Sequence, residues 1–277
     1  MNQNFKLKES GQIKYFKCRE LDDTNLVTHA FTTRAGGVSN SPFNSLNMSY
    51  NVNDNDSYVS ENRKIILTAL EINFRDIVAA QQVHKDNISI VEKGDKGKGA
   101  LRYSDGIAES DALITNISGI PLLMCYADCV PIFILDPIKK VIALIHSGKK
   151  GTELELTWKT LSKMQQIYGT NTHSCIAAIF PSVGVCCYKI NELNLKDNYT
   201  SKNKFSGKVI FKKNNNEFYL DLKKANYLQL IRGKVDKKNI FISEICTVER
   251  PDLFFSYRRD KGNTGRMAAI FMLKTKF

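Results

Sequence analysis

The amino-acid sequence predicts an α+β fold that forms one domain over residues 1–277. Three observations support this prediction. Short apolar runs with strand character follow one another in clusters, whereas a doubly wound sheet would alternate them with helices. A chain of 277 residues, 43% of them hydrophobic, can bury a sizeable core. A long polar stretch, residues 191–217, is rich in Lys and Asn and is expected to be a surface insertion, because no linker long enough to separate two domains is visible.

The strands are predicted from short β-rich runs bounded by turn-forming residues. These runs are Ile13–Cys18, Val27–Thr33, Ile77–His84, Ile88–Val91, Ala112–Thr115, Leu122–Tyr126, Ile132–Leu135, Val141–His146, Ile176–Phe180 and Ile240–Cys246. Two further runs, Phe254–Arg259 and Met267–Leu273, flank the turn-rich segment DKGNTG. We expect these last two runs to pair as a hairpin.

Three helices are predicted from apolar residues that recur at helical spacing. In the first, Val59, Ile66 and Leu70 share one face. The second and third are expected to end at Gly169 and Gly233, since glycine commonly follows the last helical residue. The predicted helices are Ser57–Ile72, Thr152–Tyr168 and Asp221–Ile231.

Membrane-spanning and secreted proteins are disfavoured by the sequence. The longest apolar candidate, residues 120–135, contains Asp128 and two prolines and is shorter than the ~18 residues that a membrane span needs. The N-terminal residues are polar and lack the apolar segment of a secretory signal. The seven cysteines are odd in number, and Cys186 and Cys187 are adjacent, which argues against a disulfide framework. We therefore expect a cytoplasmic protein with reduced thiols.

The formal net charge is +12, from 40 Lys and Arg against 28 Asp and Glu. The basic residues are spread along the chain beside Asn-rich stretches, which favours a solvated basic surface over a nucleic-acid interface. A basic nucleic-acid-binding protein nevertheless stays an alternative, although nucleic acid is not the partner that we expect. The charge is equally compatible with an affinity for small anionic metabolites.

Three potential metal ligands share one kind of position in the sequence. His84 and His146 each end an apolar run, and Cys129 lies in the gap between two predicted strands. Side chains at strand ends can converge at one rim of a sheet, and two imidazoles with one thiolate match a catalytic zinc site that keeps a fourth position open. Their spacing matches no local zinc motif, so two structural histidines and a buried cysteine are the alternative. Because the chain has only four histidines, a multicopper oxidase is excluded, but a single three-ligand site is not.

Two other features could bind an anion. The segment HSGKKGT contains Gly148, Lys150 and Gly151 before a predicted helix, and open backbone N–H groups beside lysines favour phosphate. An ordinary glycine-rich turn is the alternative. Arg34 precedes a Gly-Gly turn, and Arg63 lies at the edge of the buried face of the first helix. An arginine there must be paired or must face a polar cavity.

Ten phrases occur in an order that closely resembles one protein family. They are HAFTTRAGGVS (29–39), FNSLNMSYNVNDN (43–55), VSENR (59–63), QQVH (81–84), SDALITN (110–116), YADCVPIFILD (126–136), ALIHSGKKGT (143–152), PSVGVCCYKI (181–190), LDLKKAN (220–226) and FFSYRRDKGNTGR (254–266). The chain is similar, from about residue 13 onward, to the YfiH/YlmD-type family of purine nucleoside phosphorylases, also called the polyphenol-oxidase or laccase-domain family.

The resemblance implies an activity, a cofactor and a set of site residues. Members are described as purine nucleoside phosphorylases with adenosine deaminase activity, so purine nucleosides and phosphate are the implied partners. The implied catalytic and zinc-binding residues are His84, Cys129 and His146, and the implied substrate-facing residues are Arg63 and, less directly, Arg34. The implied fold is an α+β layered sandwich with mixed β-sheets flanked by helices. The oligomeric state is not implied.

The similarity also introduces an alternative function, and one of several departures from the family pattern bears on the substrate pocket. The family fold resembles that of toxin deamidases, so a metal-free cysteine hydrolase, with Cys129 as nucleophile and His146 or His84 as base, is an alternative. The departure is Lys149, which stands where the family usually has Trp after HAG. The ligand triad is unchanged, but the shape of the substrate pocket is expected to differ.

Overall fold

The computed structural model describes residues 4–190, 209–213 and 217–275. Most of the predicted surface insertion, namely residues 191–208 and 214–216, lies outside these described residues. Within the part of the chain described, no helix is long and apolar enough to span a membrane.

The first of two large sheets contains six strands from both ends of the chain. Its strands are β1 (Phe5–Ser10), β2 (Ile13–Cys18), β3 (Val27–Thr32), β4 (Val78–Ala79), β7 (Leu122–Tyr126) and β15 (Met267–Leu273). Their order across the sheet is β1-β2-β3-β15-β7-β4. Only the β4–β7 pair of this sheet is parallel.

The second large sheet also has six strands, and a third sheet is small. The second sheet consists of β5 (Ile88–Ile90), β6 (Ala112–Thr115), β8 (Val130–Asp136), β9 (Val141–Ser147), β10 (Ile176–Ile179) and β14 (Ile240–Ile242), in the order β14-β10-β8-β9-β6-β5. The third sheet consists of β11 (Lys189–Ile190), β12 (Ile210–Lys213) and β13 (Glu217–Leu220), with β13 in the middle.

Five α-helices are present in the described ranges: α1 (Arg19–Asp22), α2 (Asp56–Ala69), α3 (Lys149–Glu153), α4 (Leu156–Tyr168) and α5 (Leu222–Arg232). The side chain of Asn55 accepts a hydrogen bond from the Ser57 N–H and thereby caps α2. Asp221 caps α5 in the same way through the Lys224 N–H.

Alternation along the strands creates a four-layer arrangement. Phe133 of β8 and Phe271 of β15 meet between the two large sheets, with ring centroids 5.0 Å apart. Ile132, on the opposite face of β8, belongs to the cluster that includes α4 and α5 residues, and Ile270, on the opposite face of β15, packs in the cluster that includes α2 residues. Because successive strand residues point to opposite faces, each sheet contributes to two cores. The expected α+β sandwich, with mixed sheets inside and helices outside, is confirmed.

The predicted C-terminal hairpin is wrong. β15 lies between β3 and β7, and residues 254–259 form no strand, since 254–256 are irregular and 257–259 lie in a turn. Phe254 and Phe255 are nevertheless fully buried, in the core between the sheets. The apolar character of this segment therefore reflects its packing in that core, and the sequence pattern does not distinguish such packing from strand pairing.

The first predicted helix ends at Ala69 instead of Ile72, and three further elements differ more from their predicted bounds. The helix expected over 152–168 is divided between α3 and α4, because Glu155 adopts a left-handed conformation with φ of +61°. The run Ile77–His84 contributes only the two-residue strand β4, and its remainder forms part of the site described below. Ile240–Cys246 shortens to β14, since residues 243–245 leave the sheet.

Candidate functional site

A cavity of about 800 Å³ opens where β7, β8 and β9 reach the same end of the sandwich. Its wall includes His84, Cys129 and His146, the three ligands suggested by the sequence. The volume lies within the range of small-molecule binding sites. The cavity is therefore the candidate site for substrate.

The structure brings the three potential ligands together at one point. The ligand atoms of His84, Cys129 and His146 all lie within 4.8 Å of one another. The two imidazole rings meet edge to face, with centroids 4.7 Å apart. His146 is buried in β9, whereas His84 is exposed and Cys129 partly exposed. We call these three residues the His/Cys/His cluster, and its donors can hold a metal ion.

Asp111 orients two members of the cluster. Its side chain is completely buried and accepts a hydrogen bond from His146 Nδ1 at 2.9 Å. It also accepts the backbone N–H groups of Val83, His84 and Lys85 at 2.8–3.2 Å. Because His146 uses Nδ1 for this bond, its Nε2 is left as the donor for a metal. Asp111 thus fixes both the His146 ring and the backbone that carries His84.

The backbone around the cluster is held in uncommon conformations. His84 has a φ of +57° and Asp128, just before Cys129, a φ of +83°. Such conformations cost energy in non-glycine residues and are found preferentially at functional sites. The carboxylate of Asp128 accepts hydrogen bonds from Thr247 Oγ1, Ser256 Oγ and the Arg258 N–H at 2.6–2.8 Å, and these bonds stabilise the turn.

Gly148 is required by close packing on the cluster. A Cβ atom at this position would lie 2.9 Å from Cys129 Sγ and 3.4 Å from His84 Cδ2. A glycine at position 148 therefore lets the backbone approach both Cys129 and His84. The neighbouring Lys149 lines the cavity, whereas Lys150 is exposed and is absent from the cavity wall, as is the buried Gly151. A phosphate-binding role for Gly148, Lys150 and Gly151 stays a prediction.

Without a bound metal, Cys129 and His146 shift each other's pKa. Burial alone would raise the pKa of the Cys129 thiol, but His146 and His84 together lower it below its ordinary value. Burial alone would lower the pKa of His146, but Cys129 and Asp111 raise it. Cys129 therefore favours the thiolate form, which is the form that binds metals and attacks electrophiles.

A second group of cavity residues is formed by two arginines, one buried and one half-buried. The Arg63 guanidinium, 3% exposed, donates hydrogen bonds to the carbonyl oxygens of Met48 at 2.9 Å and Gly99 at 2.7 Å, and it lies over the Tyr50 ring at 4.3 Å. Arg266, half-buried, donates to the Thr264 and Gly265 carbonyls. Neither arginine forms an ion pair with an acidic side chain of the described chain. We call Arg63 and Arg266 the arginine pair.

The charge of the cavity wall is strongly positive. Among the described residues lining it, five are cationic and one, Asp128, is acidic. The cationic residues are Arg63, Lys149, Arg258, Lys261 and Arg266. Since the Asp128 carboxylate already accepts three hydrogen bonds, the wall offers a surplus of donors to an anion.

Arg34 occupies an environment like that of Arg63 but outside the cavity wall. It donates to the Asn44 and Pro251 carbonyls at 2.9 and 3.2 Å and lies over the Phe255 ring at 4.7 Å. It is not among the residues that line the cavity. The structure thus brings Arg63, but not Arg34, together with the His/Cys/His cluster, and a substrate role for Arg34 stays a prediction.

Sequence reasoning missed Asp111 and did not select Arg266. Asp111 stands directly before β6, and β6 pairs with β9, which carries His146. A carboxylate at the end of a strand that pairs with a ligand-bearing strand would indicate a residue that orients the ligand, but the sequence alone does not show which strands pair. The remaining histidines lie elsewhere: His29 is fully buried and His173 is exposed.

The comparisons with known proteins agree with this geometry. Residues 28–274 match the family described as multi-copper polyphenol oxidoreductase laccase. The purine nucleoside phosphorylase YlmD of Bacillus subtilis is 34% identical over 260 residues, which cover 90% of this chain and 89% of that protein. YlmD of Geobacillus stearothermophilus is 35% identical over 243 residues, covering 86% and 87% of the two chains.

A solved structure shows the same fold. The crystal structure of the Bacillus licheniformis hypothetical protein YfiH superposes with a TM-score of 0.91 at 32% identity, covering 98% of this chain and 100% of that one. The match extends over the sheets that carry the cluster and the cavity. On the sequence match and the shared fold, this chain belongs to the family described as multi-copper polyphenol oxidoreductase laccase, and it is similar to the YlmD purine nucleoside phosphorylases.

Proposed function

We propose that this protein is a zinc-dependent purine nucleoside phosphorylase that acts on adenosine, inosine or related nucleosides. The observation that carries the proposal is the cavity itself, where a His/Cys/His cluster and a surplus of cationic side chains share one wall. The names of the relatives supply the reaction class. Phosphate and a nucleoside are substrates that need both an anion site and a site for a leaving base.

Phosphate is assigned to the arginine pair. A buried guanidinium without an acidic partner is costly unless polar groups or an anion compensate it. Arg63 uses Nε and Nη1 on the carbonyl oxygens of Met48, Gly99 and Ala100 and lines the cavity, and its Nη2 group is the donor that we assign to the anion. Arginine suits phosphate because its planar donors match two oxygens at once.

The nucleoside is assigned to the aromatic part of the wall. Four tyrosines line the cavity: Tyr50, Tyr103, Tyr188 and Tyr257. A base stacked on an aromatic ring gains about 1–3 kcal/mol in single-stranded nucleic-acid complexes, and a purine offers the same π-face. These side chains therefore provide binding energy that is independent of the purine's exocyclic group.

The His/Cys/His cluster fits zinc by its donor set. His84, Cys129 and His146 would hold the ion, and Asp111 would keep His146 in the correct tautomer. When bound, zinc supplies Lewis acidity for charge that builds on a substrate group.

The reaction requires one bond exchange. A phosphate oxygen forms a bond to the ribose C1′ while the C1′–N9 bond breaks and its electron pair leaves with the purine. The transition state is oxocarbenium-like, as in glycoside cleavage. The arginine pair would orient the attacking phosphate, and a protonated side chain or water near the base would neutralise the leaving purine.

Adenosine deamination is proposed as a secondary activity. A deaminase needs a carboxylate that moves protons between the attacking water and the leaving ammonia. The acid among the lining residues, Asp128, has its oxygens occupied by three hydrogen bonds, and Asp111 is bonded to His146. We therefore expect deamination to be slower than phosphorolysis.

Chromatography of adenosine and inosine incubations tests the proposal. Free base and ribose-1-phosphate that form only when phosphate is present are expected. Inosine that forms from adenosine at the same rate with and without phosphate measures deamination separately. No base release from either nucleoside at any phosphate concentration would refute the phosphorylase proposal.

A second candidate is a metal-free cysteine hydrolase. It is favoured by one arrangement, in which Cys129 neighbours His146 and Asp111 orients His146 as in a nucleophile–base–acid triad. Zinc measured in protein purified without a metal-affinity resin separates the two candidates. Stoichiometric zinc and loss of activity on chelation support the phosphorylase, whereas a metal-free active enzyme that iodoacetamide inactivates supports the hydrolase.

A further inference from the structure

A second cluster of three potential ligands lies outside the candidate site. The sulfur atoms of Cys186, Cys187 and Cys246 all lie within 4.8 Å of one another. None of the three residues lines the 800 Å³ cavity. Their exposure is graded, because Cys186 is exposed, Cys187 is partly buried and Cys246 is buried. We call these residues the three-cysteine cluster.

The fold brings these cysteines together from distant parts of the chain. β10 and β14 are parallel neighbours, so the segments that follow them leave the sheet at the same end. A β-bridge between Ser182 and Cys246 continues their pairing beyond the strands. The chain then turns, with the Cys187 and Tyr188 N–H groups both donating to the Gly184 carbonyl at 3.0 Å. This turn places the two adjacent cysteines beside Cys246.

Gly184 permits the close approach of the sulfurs. A Cβ atom there would lie 2.9 Å from Cys186 Sγ and 3.4 Å from Cys246 Sγ. The Gly184 N–H also donates to Cys246 Sγ at 3.1 Å. Backbone N–H groups that point at a sulfur stabilise the thiolate form, and such outer contacts are a regular part of metal–thiolate sites.

A buried lysine supplies compensating charge. Lys223 is 7% exposed, and its ammonium group donates to the Ser243 and Ile245 carbonyls at 2.7 and 2.8 Å. These carbonyls belong to the loop that carries Cys246, and Lys223 interacts electrostatically with Cys246 and Cys186. Three thiolates on a divalent cation carry a net charge of −1, which one ammonium group balances.

We propose that Cys186, Cys187 and Cys246 form a second metal site that binds one thiophilic divalent cation of the zinc or cadmium class through three thiolates. Binding replaces the three thiol protons, which pass to solvent, and involves no change of oxidation state. Exposed Cys186, with Glu249 beside it, provides the approach for the cation. A fourth coordination position is left to water.

Titration of the reduced, metal-free protein with Cd²⁺ tests this site. Bound cadmium is counted after gel filtration, and thiolate coordination is followed by ultraviolet charge-transfer absorbance. The variants are Cys129→Ala, which removes the thiolate of the His/Cys/His cluster, and Cys186→Ser, which changes an exposed member of the three-cysteine cluster. Cys175→Ser is the matched control, because Cys175 is a free cysteine in neither cluster.

We expect about two bound cadmium ions in the wild type and in Cys175→Ser, and about one in each of the other variants. The absorbance per bound ion should be about three times larger in Cys129→Ala than in Cys186→Ser, since three thiolates replace one. Circular dichroism checks that each variant is folded.

Two results would overturn the proposal. One is a Cys186→Ser variant that binds as much cadmium as the wild type with unchanged absorbance. The other is a thiol count below seven in the denatured, unreduced protein with the missing pair mapped to this cluster, which would make it a disulfide site. Neither result depends on turnover of a nucleoside, so the outcome is separate from that of the proposed function.

Discussion

The His/Cys/His cluster and the arginine pair line the same cavity but are built differently. Cys129 and His146 of the cluster lie at the ends of β8 and β9, and a single buried carboxylate, Asp111, joins His146 to the backbone of His84. The arginine pair is held by carbonyl oxygens of loops, with Tyr50 under Arg63. One region is therefore organised by a charged outer residue, and the other by neutral backbone.

This difference separates two tasks. Because Asp111 sets the tautomer of His146, a change in the Asp111 charge would alter the nitrogen that His146 offers to a metal. Carbonyl oxygens position the guanidinium of Arg63 without neutralising it, so the positive charge stays available for an anion. A substitution in the first region should affect metal binding, whereas one in the second should affect phosphate.

Cys129→Ala should have the largest effect. It removes one of the three potential metal ligands. Replacing a residue that only hydrogen-bonds a ligand costs up to roughly 100-fold in activity, so we expect the loss of a ligand itself to lower turnover by more than that. Metal content measured alongside decides the reason. Cys125→Ala, which changes another cavity-lining cysteine four residues earlier, should keep its metal. Stoichiometric zinc retained by Cys129→Ala would remove Cys129 from the ligand set and favour the hydrolase.

Asp111→Asn tests the carboxylate that orients His146 in the same region. Loss of the charge that orients His146 should weaken metal binding by about 10- to 100-fold, measured by competition with a chromophoric chelator. Asp136→Asn is the matched control, because Asp136 is equally buried at a strand end and accepts the backbone N–H groups of Ile138 and Lys139. Equal metal affinity in Asp111→Asn and the wild type would contradict this role.

Arg63→Lys tests the arginine pair. The charge is retained but the planar donors are lost, and a hydrogen bond to a charged group is worth about 1.5–3 kcal/mol. We expect kcat/KM for phosphate to fall on the order of 10-fold, with metal content unchanged. Arg34→Lys is the matched control, since Arg34 also donates to two carbonyls and stacks on an aromatic ring.

The Arg34 control also decides the untested role of that residue. A loss that is equal in Arg34→Lys and Arg63→Lys would place both in substrate binding. Losses that merely follow the melting temperatures of the two variants would return Arg63 to a structural role.

Lys149→Met should have the smallest effect. Lys149 lines the cavity, but its Nζ lies 3.6 Å from Glu153 Oε1 and the side chain is partly exposed. Its attraction for a bound phosphate is therefore screened. We expect KM for phosphate to rise about 2- to 5-fold without a change in metal content. Lys150→Met, at the exposed neighbour, should leave KM unchanged. The opposite order of effects would assign the phosphate to the Gly148–Gly151 turn.

The sequence by itself determined much of the fold and part of the site. Continuous apolar runs such as Ile132–Leu135 indicate strands from local sequence alone, because a strand between a core and a helix layer must be apolar on both faces. The position of Cys129 and His146 beside strand ends is equally visible in the sequence, whereas His84, predicted to end a strand, lies in the loop after β4. The ordered phrases identified the family, which the comparisons confirmed.

Only the tertiary structure decided which segments become neighbours. A local apolar run indicates that a segment is buried but not which strand it pairs with. Residues 254–259 were therefore predicted to pair with β15, although β15 pairs with β3 and β7. For the same reason Asp111 was invisible until the pairing of β6 with β9 placed it against His146. Arg34 and Arg63 have similar local surroundings, and only the path of the chain places one of them on the cavity wall, because contacts between distant residues are set by sheet order.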